Sequence, residues 1–459
     1  MPQQRRHFLF LQGPHGSFFR LLGEELTKIG YGVTRINLCG GDQYFWPRPG
    51  AISFTARPEH WVEFFHNIMV EHQVTDVVVY GDCRPHHLAA INELRDLADQ
   101  MDVRVHVFEE GYKRPHWVTL EAGGVNGHSS LPRCPKDILA RAARLPEPEE
   151  PVEVGANTRV MGFNAFVYNL FTLLHKVKYR HYRTHRKDQP LPELWGWVKR
   201  LADMPFRKLR THKQTVDLRR SRKKWYLAIM QLDGDAQIRQ HSPYDGGGMP
   251  QFIDEVMRSF AENAPDGTHL IFKNHPLDNG LVDYGAQIAR LSAKLGIADR
   301  VVYIDGGKLA ALTRRAKGVV TVNSTAGMNA LEFGVPLKVM GRATYRIEGL
   351  AAACSLDDFW RKCPKPDADL LKAYDKIVRV TTQFNGSYYT RAGVEMVLEP
   401  VIKWMVAAPL LREAEAQRKL GDLISAEAAR RAGGADVVPL YQTITEASDE
   451  PASTTKKRA

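Results

Sequence analysis

No stretch of the 459-residue chain reaches the ~18 to 20 uninterrupted apolar residues that a membrane-spanning helix needs. The start, Met1-Pro-Gln-Gln-Arg-Arg-His-Phe-Leu-Phe-Leu-Gln12, has the charge-then-apolar order of a secretory leader. Its apolar part is too short, however, and no small-residue cleavage site follows, so it reads as a first β-strand. Cysteine is scarce. Cys39, Cys83, Cys134, Cys354 and Cys363 are scattered, odd in number and without C-x-x-C pairing, which fits a reducing, cytoplasmic compartment and speaks against zinc. Histidines and carboxylates show no H-E-x-x-H spacing, so no metal site is expected. A G-x-S-x-G elbow, a G-x-x-x-x-G-K-[ST] loop and a complete G-x-G-x-x-G are all absent. These absences set aside hydrolase-triad, NTP-hydrolysing and dinucleotide-binding readings.

What the chain does have is length for two domains and charge concentrated in one place. Its formal net charge is +11, yet Lys176 to Lys224 alone holds 17 Lys/Arg against 4 Asp/Glu. The basicity is therefore a local device, and its partner should be a polyanion: an anionic membrane face, a phospholipid or a nucleic acid. No nucleic-acid recognition fold is recognisable, so nucleic acid is not expected.

Strand and helix patterns alternate twice. His7–Leu11, Gly32–Leu38, Thr75–Tyr80 and Val103–Phe108 read as strands, with helices over Phe18–Gly30, Trp61–His72 and Pro85–Gln100. Alternation resumes with strands at Tyr226–Gln231, His269–Phe272, Val301–Ile304 and Gly318–Val322. The expected fold is α/β, with two Rossmann-like doubly wound domains at 1–150 and 225–384. Between them, 151–224 holds a Pro/Glu-rich linker and basic amphipathic helices. Residues 385–435 should form C-terminal helices, and 436–459 a disordered tail. Within the insertion, Phe163, Phe166, Val167, Leu170, Phe171 and Leu174 form one apolar stripe, and Lys176–Lys187 supplies charge beyond it. The stripe either packs on the protein's own core or lies on anionic lipid.

Four loops fall at the carboxyl ends of predicted strands, where open α/β sheets bind ligands. Gln12-Gly-Pro-His-Gly-Ser17 leads into a helix; it is an anion-favouring turn or an ordinary βα turn. Phe108-Glu-Glu-Gly-Tyr-Lys-Arg-Pro-His-Trp-Val-Thr-Leu-Glu121 offers Glu109 and Glu110 as an acid/base pair, or as solvated acids. Met230-Gln-Leu-Asp-Gly-Asp-Ala-Gln-Ile238 offers Asp233 and Asp235, either of which suits nucleophilic attack at an anomeric carbon, or a simple Asx turn. The fourth site pairs Lys273-Asn-His275-Pro276 with Asn323-Ser-Thr-Ala-Gly327. There hydroxyls and backbone N–H groups would hold a phosphate while His275 and Lys273 counter its charge; the bland alternative is that Ser324 is only an N-cap.

Seven stretches in one order carry a family resemblance. They are Phe8–Phe19, Arg35-Ile-Asn-Leu-Cys-Gly-Gly-Asp42 with Phe45-Trp-Pro47, Tyr80-Gly-Asp-Cys-Arg-Pro-His86, Glu109–Glu121, Gln231–Gln237, His275-Pro276 and Asn323–Gly327. On these the chain resembles the capsule polysaccharide biosynthesis/export family of Gram-negative bacteria, and within it the KpsS/LipB branch. The resemblance implies a GT-B-like arrangement of two domains facing a cleft. It also implies a membrane-associated retaining glycosyltransferase that moves β-Kdo, a 2-keto-3-deoxy sugar acid, from CMP-Kdo to a phosphatidylglycerol-type lipid. Asp235 would then be the nucleophile and Glu109 or Glu110 the acid/base. Lys273, His275, Pro276, Asn323, Ser324, Thr325 and Gly327 would form the nucleotide site. Gln12, His15, Arg84, Arg114 and Gln231 would line the substrate site, with Arg84 or Arg114 clamping the Kdo carboxylate. No cofactor beyond the donor is implied. The expected partners are CMP-Kdo, the anionic lipid, the inner face of the inner membrane, and other capsule assembly and export proteins. The other class of reading is a non-enzymatic adaptor of the export machinery.

Overall fold

A computed structural model describes residues 6–419, apart from 156–157, 185–195, 197–198, 201–202, 222 and 245. The expected tail at 436–459, the end of the C-terminal helical region beyond 419, and part of the basic segment lie outside the described residues.

The first sheet contains β1 (His7–Phe10), β2 (Gly32–Asn37), β3 (Ala51–Ser53), β4 (Asp76–Tyr80), β5 (Arg104–Glu110), β6 (Trp117–Ala122) and β12 (Gln383–Asn385), in the order β12-β6-β5-β4-β1-β2-β3. The second contains β7 (Lys224–Ile229), β8 (Thr268–Lys273), β9 (Val301–Ile304), β10 (Gly318–Thr321) and β11 (Leu337–Val339), in the order β11-β10-β7-β8-β9. Every pairing is parallel except β5–β6 and β6–β12. Helices cover both faces of each sheet, which is why the strands read as near-continuous apolar runs. In β1, Leu9 faces one buried cluster while Phe8 and Phe10 face the other. In β7, Leu227 and Ile229 alternate in the same way with Tyr226 and Ala228.

Residues 117–122 differ from the loop expected there. They form an antiparallel strand because Val118 and Leu120 turn into the apolar core while Thr119 and Glu121 face polar partners. The chain's return was also unforeseen. After the second sheet, β12 pairs with β6, and the helix Arg391–Ala407 sets Val394, Val397, Val401 and Met405 against Phe8, Phe10 and Phe18. This helix therefore completes the core of the first domain.

The helix Thr158–Leu174 is bound to the first domain through the two glycines of Cys39-Gly-Gly-Asp42. A Cβ at Gly40 would stand 2.1 Å from the Phe171 carbonyl oxygen, and one at Gly41 would stand 2.6 Å from the Tyr168 ring. Only hydrogen at these positions allows that approach. Gly41→Val is expected to destabilise the protein by about 2 kcal/mol, read as a lower denaturation midpoint; an unchanged midpoint would contradict this packing.

Candidate functional site

Both sheets have a switch point where strand order reverses, between β1 and β4 and between β7 and β10. Ligands of open α/β sheets bind at such crevices, and here each crevice is bridged. Across the first, an Arg84 guanidinium N–H donates to the Gly13 carbonyl at 3.3 Å. Across the second, the Asn323 backbone N–H donates to Gln231 Oε1 at 2.7 Å.

Glu109 and Glu110 are consecutive in β5, so their side chains leave opposite faces. Glu110 is taken up by tyrosines: its Oε1 accepts from Tyr80 Oη at 3.1 Å and from Tyr389 Oη at 3.2 Å. Glu109 Oε1 accepts the Glu110 backbone N–H at 3.0 Å. Burial pushes the Glu109 carboxyl up to about 7; that N–H and the Arg114 charge oppose the rise, while the charges of Glu110 and Asp235 add to it. A carboxyl at that value can give or take a proton at neutral pH.

The two aspartates flanking Gly234 have different environments. Asp233 Oδ1 accepts the Met249 N–H at 2.8 Å, at the start of the helix Gly248–Asn263. Gly248 has a positive φ of 59° and leaves no room there for a side chain. Asp235 lies past the end of β7, where its backbone carbonyl opens a short helix and its charge acts on Glu109 across the cleft.

The end of β8 and the loop after it hold Lys273 and His275 beside the Arg200 guanidinium, which is ion-paired with Asp305 at 2.8 Å and Asp278 at 3.7 Å. Burial, followed by the charges of Lys273, Arg114 and Arg200, pulls His275 down to about 4, leaving it neutral at pH 7. Its Nδ1 accepts the Leu277 N–H at 3.1 Å, so the proton resides on Nε2, which can donate to a ligand. Lys273 is itself buried, lowered to about 8, and donates to the Asn274 carbonyl at 2.8 Å. Pro276 is exposed beside it.

The remaining candidates sort by geometry. Thr325 and Asn323 line a pocket shared with Tyr112, Lys113 and Asn126 of the first domain, and Ser324 Oγ accepts the Ala326 N–H at 3.2 Å. Gly327 faces the Tyr345 ring, where a Cβ would meet Tyr345 Oη at 2.4 Å; its role is to admit that ring. Gln231 is buried and occupied with Asn323. Gln12 is also buried, its amide donating to Tyr168 Oη at 2.6 Å and Tyr182 Oη at 3.2 Å. The His15 ring stacks on Tyr168 at 4.2 Å. Gln12 and His15 thus hold the helix Thr158–Leu174 over the β1 loop. Arg84 lies over the Tyr80 ring, and Arg114 is exposed at the cleft.

Sequence reasoning gave no role to Asp82, Cys83, Glu121, His128 or His241. Asp82 Oδ2 accepts from the Val125 N–H at 3.1 Å and pairs with His128 Nδ1 at 3.0 Å. Cys83 Sγ meets His241 Nε2, from the second domain, at 3.1 Å. Ligand-type atoms of Asp82, Cys83, His128 and His241 all lie within 4.8 Å of one another. Spacing rules miss such a group because its members come from three separate loops. Glu121, buried in β6, is pushed up to about 7 by burial, against hydrogen bonds from Ser129 and Tyr112. Gly81 has a φ of 68°, and the turn it makes is followed by Asp82, buried against Val125 and His128.

Residues 75–389 match the family model described as capsule polysaccharide biosynthesis protein. The chain is 34% identical over 385 residues to the capsule polysaccharide export protein KpsS of Escherichia coli, covering 84% of this chain and 97% of that one. It is 32% identical over 399 residues to the capsule polysaccharide modification protein LipB of Neisseria meningitidis serogroup B, covering 85% and 93%. Among solved structures, the beta Kdo 2,7 transferase of Thermosulfurimonas dismutans KpsC aligns over 87% of this chain and 99% of its own, with a TM-score of 0.42 and 13% identity. With its two doubly wound domains and a cleft between them, the chain belongs to the capsule polysaccharide biosynthesis protein family.

Proposed function

We propose that this protein is a retaining glycosyltransferase that moves β-Kdo from CMP-Kdo to a phosphatidylglycerol-type lipid at the inner face of the inner membrane, starting the lipid linker of a capsule. The observation that carries the reading is Glu109, a carboxyl at the end of β5 that burial pushes up to about 7, with the like charge of Asp235 from the second domain adding to the rise. Together they supply one carboxyl poised near neutrality and a second carboxylate, the pair that double displacement requires.

In the first step Asp235 attacks the anomeric carbon of Kdo, the bond to the phosphate oxygen breaks, and CMP leaves with the electron pair. CMP is a good leaving group, so the site's task is to neutralise its phosphate. The His275 Nε2–H and the charges of Lys273 and Arg114 suit that task. In the second step Glu109, as carboxylate, takes the proton of the acceptor hydroxyl. The acceptor oxygen then attacks the same carbon and Asp235 is released. Two inversions give retention. Arg114, exposed and close enough to affect both Glu109 and His275, is the better placed of the two arginines to clamp the Kdo carboxylate.

The purified protein, given CMP-Kdo and a phosphatidylglycerol acceptor, should release CMP and yield a lipid bearing Kdo. His275→Ala should raise KM for CMP-Kdo about 10- to 100-fold, the loss of one hydrogen bond to a charged group. No CMP release above the rate without acceptor, by folded protein, would overturn the reading in favour of an adaptor.

A further inference from the structure

We infer that the outward face of the helix Thr158–Leu174, continued by Val177, is a membrane-docking surface for anionic lipid. The sequence left two fates open for the apolar stripe, and the helix divides it between them. Val167 and Tyr168 are buried against the first domain. Phe163 and Phe166 are each 64% exposed, and Leu170, Leu173, Leu174 and Val177 are exposed with them. Positions 163, 166, 170, 173 and 174 recur at helical spacing, so these five side chains form one continuous stripe, and exposed Val177 follows it in the turn after the helix. Among the described residues nothing covers it. A contiguous apolar surface of this kind marks an interaction site.

The charge around the stripe selects the occupant. Residues 158–183 contain Arg159, Lys176, Lys178, Arg180 and Arg183 and no Asp or Glu. All five cations are exposed, one before the stripe and four at its far end. Apolar depth with a cationic margin and no acid is the composition of a helix lying in the interface of an anionic bilayer. No described helix is long and apolar enough to cross a membrane, so docking of this kind is lateral.

The helix is held firmly enough to transmit its orientation. Its inner face is tied down by Tyr168 to Gln12, by Thr172 Oγ1 accepting the Gly41 N–H at 3.2 Å, and by Asn164 Nδ2 donating to the His15 carbonyl at 3.1 Å. Tyr168 is also a wall of a pocket lined by Gly13, Pro14, Arg20, Arg35 and Trp46. Docking on the stripe therefore holds the β1 loop about one helix diameter, ~10 Å, from the lipid surface. The docking surface stands independently of the transferase reading.

Flotation of the full chain with vesicles tests the surface. Wild-type protein should float with an equal mixture of phosphatidylcholine and phosphatidylglycerol, and far less with phosphatidylcholine alone. Phe163→Ser with Phe166→Ser should lower partitioning at least about 10-fold, and Lys176→Glu with Arg180→Glu should remove the preference for the anionic lipid. Both variants should keep the wild-type thermal midpoint. With a water-soluble short-chain acceptor, CMP release by the phenylalanine variant should stay within about 2-fold of wild type, so loss of docking and loss of transfer are read separately. Wild-type protein that fails to float, or a folded phenylalanine variant that floats equally well, would overturn the inference. So would a stripe that the variants show to be needed only for binding another capsule protein.

Discussion

Asp235→Asn should lower CMP release by about 1,000-fold or more while leaving CMP affinity within a few-fold, because only the attacking group is removed. The paired control is Asp233→Asn. Asp233 accepts the Met249 N–H at the start of Gly248–Asn263, so its loss should lower stability by about 1 kcal/mol and leave turnover largely intact. In sequence the two aspartates are interchangeable, one on each side of Gly234. A second signature accompanies the first. Asp235 is one of the charges that raise Glu109, so the residual activity of Asp235→Asn should have its acidic limb at a lower pH than wild type. Normal turnover by Asp235→Asn would end its assignment as the nucleophile.

Glu109→Gln should cost about 100- to 1,000-fold in turnover and, at the same time, stabilise the protein above neutral pH. In the folded protein Glu109 titrates near 7, above an unfolded value near 4.5, chiefly because of burial. Below the unfolded value it contributes its full share to stability. As pH rises through 7 that share is lost, because the buried site must then hold a charge. The difference amounts to roughly 2 to 3 kcal/mol at pH 8, which the glutamine variant should recover. Denaturation at pH 5 and pH 8 measures this: the variant should gain at pH 8 and differ little at pH 5. Wild-type transfer should rise with pH through about 7, since Glu109 acts as a base, and the glutamine variant should lack that limb. A variant equally active, or less stable at pH 8, would move the acid/base role elsewhere in the cleft. Glu121, also near 7 but bound by Tyr112 and Ser129, is the alternative such a result would point to.

Strand and helix alternation was legible because a sheet covered on both faces demands near-continuous apolar runs, as at His7–Phe10 and Lys224–Ile229. The loops at strand ends were legible for the same reason. Short elements were not: Ala51–Ser53, Leu337–Val339 and Gln383–Asn385 each span three residues, too few for a period to register. Trp117–Ala122 was hidden within a polar motif, although its alternation is plain once Val118 and Leu120 are seen to face the core.

The sequence by itself determined the two α/β units, the concentration of positive charge between them, and which loops carry chemistry-bearing residues. These are local properties of composition and period. Tertiary structure alone decided which residues of a motif face the cleft and which serve the fold. It assigned Glu110 to tyrosines and Asp233 to a helix start, and it tied Gln12 to the Thr158–Leu174 helix. It also brought together Asp82, Cys83, His128 and His241, up to 159 residues apart in the chain. The same holds for the apolar stripe, where Val167 turns inward and Phe163 and Phe166 remain in solvent. The physical reason is common to all of them. Burial, field and hydrogen-bond partners depend on neighbours that the chain supplies only after it has folded back on itself.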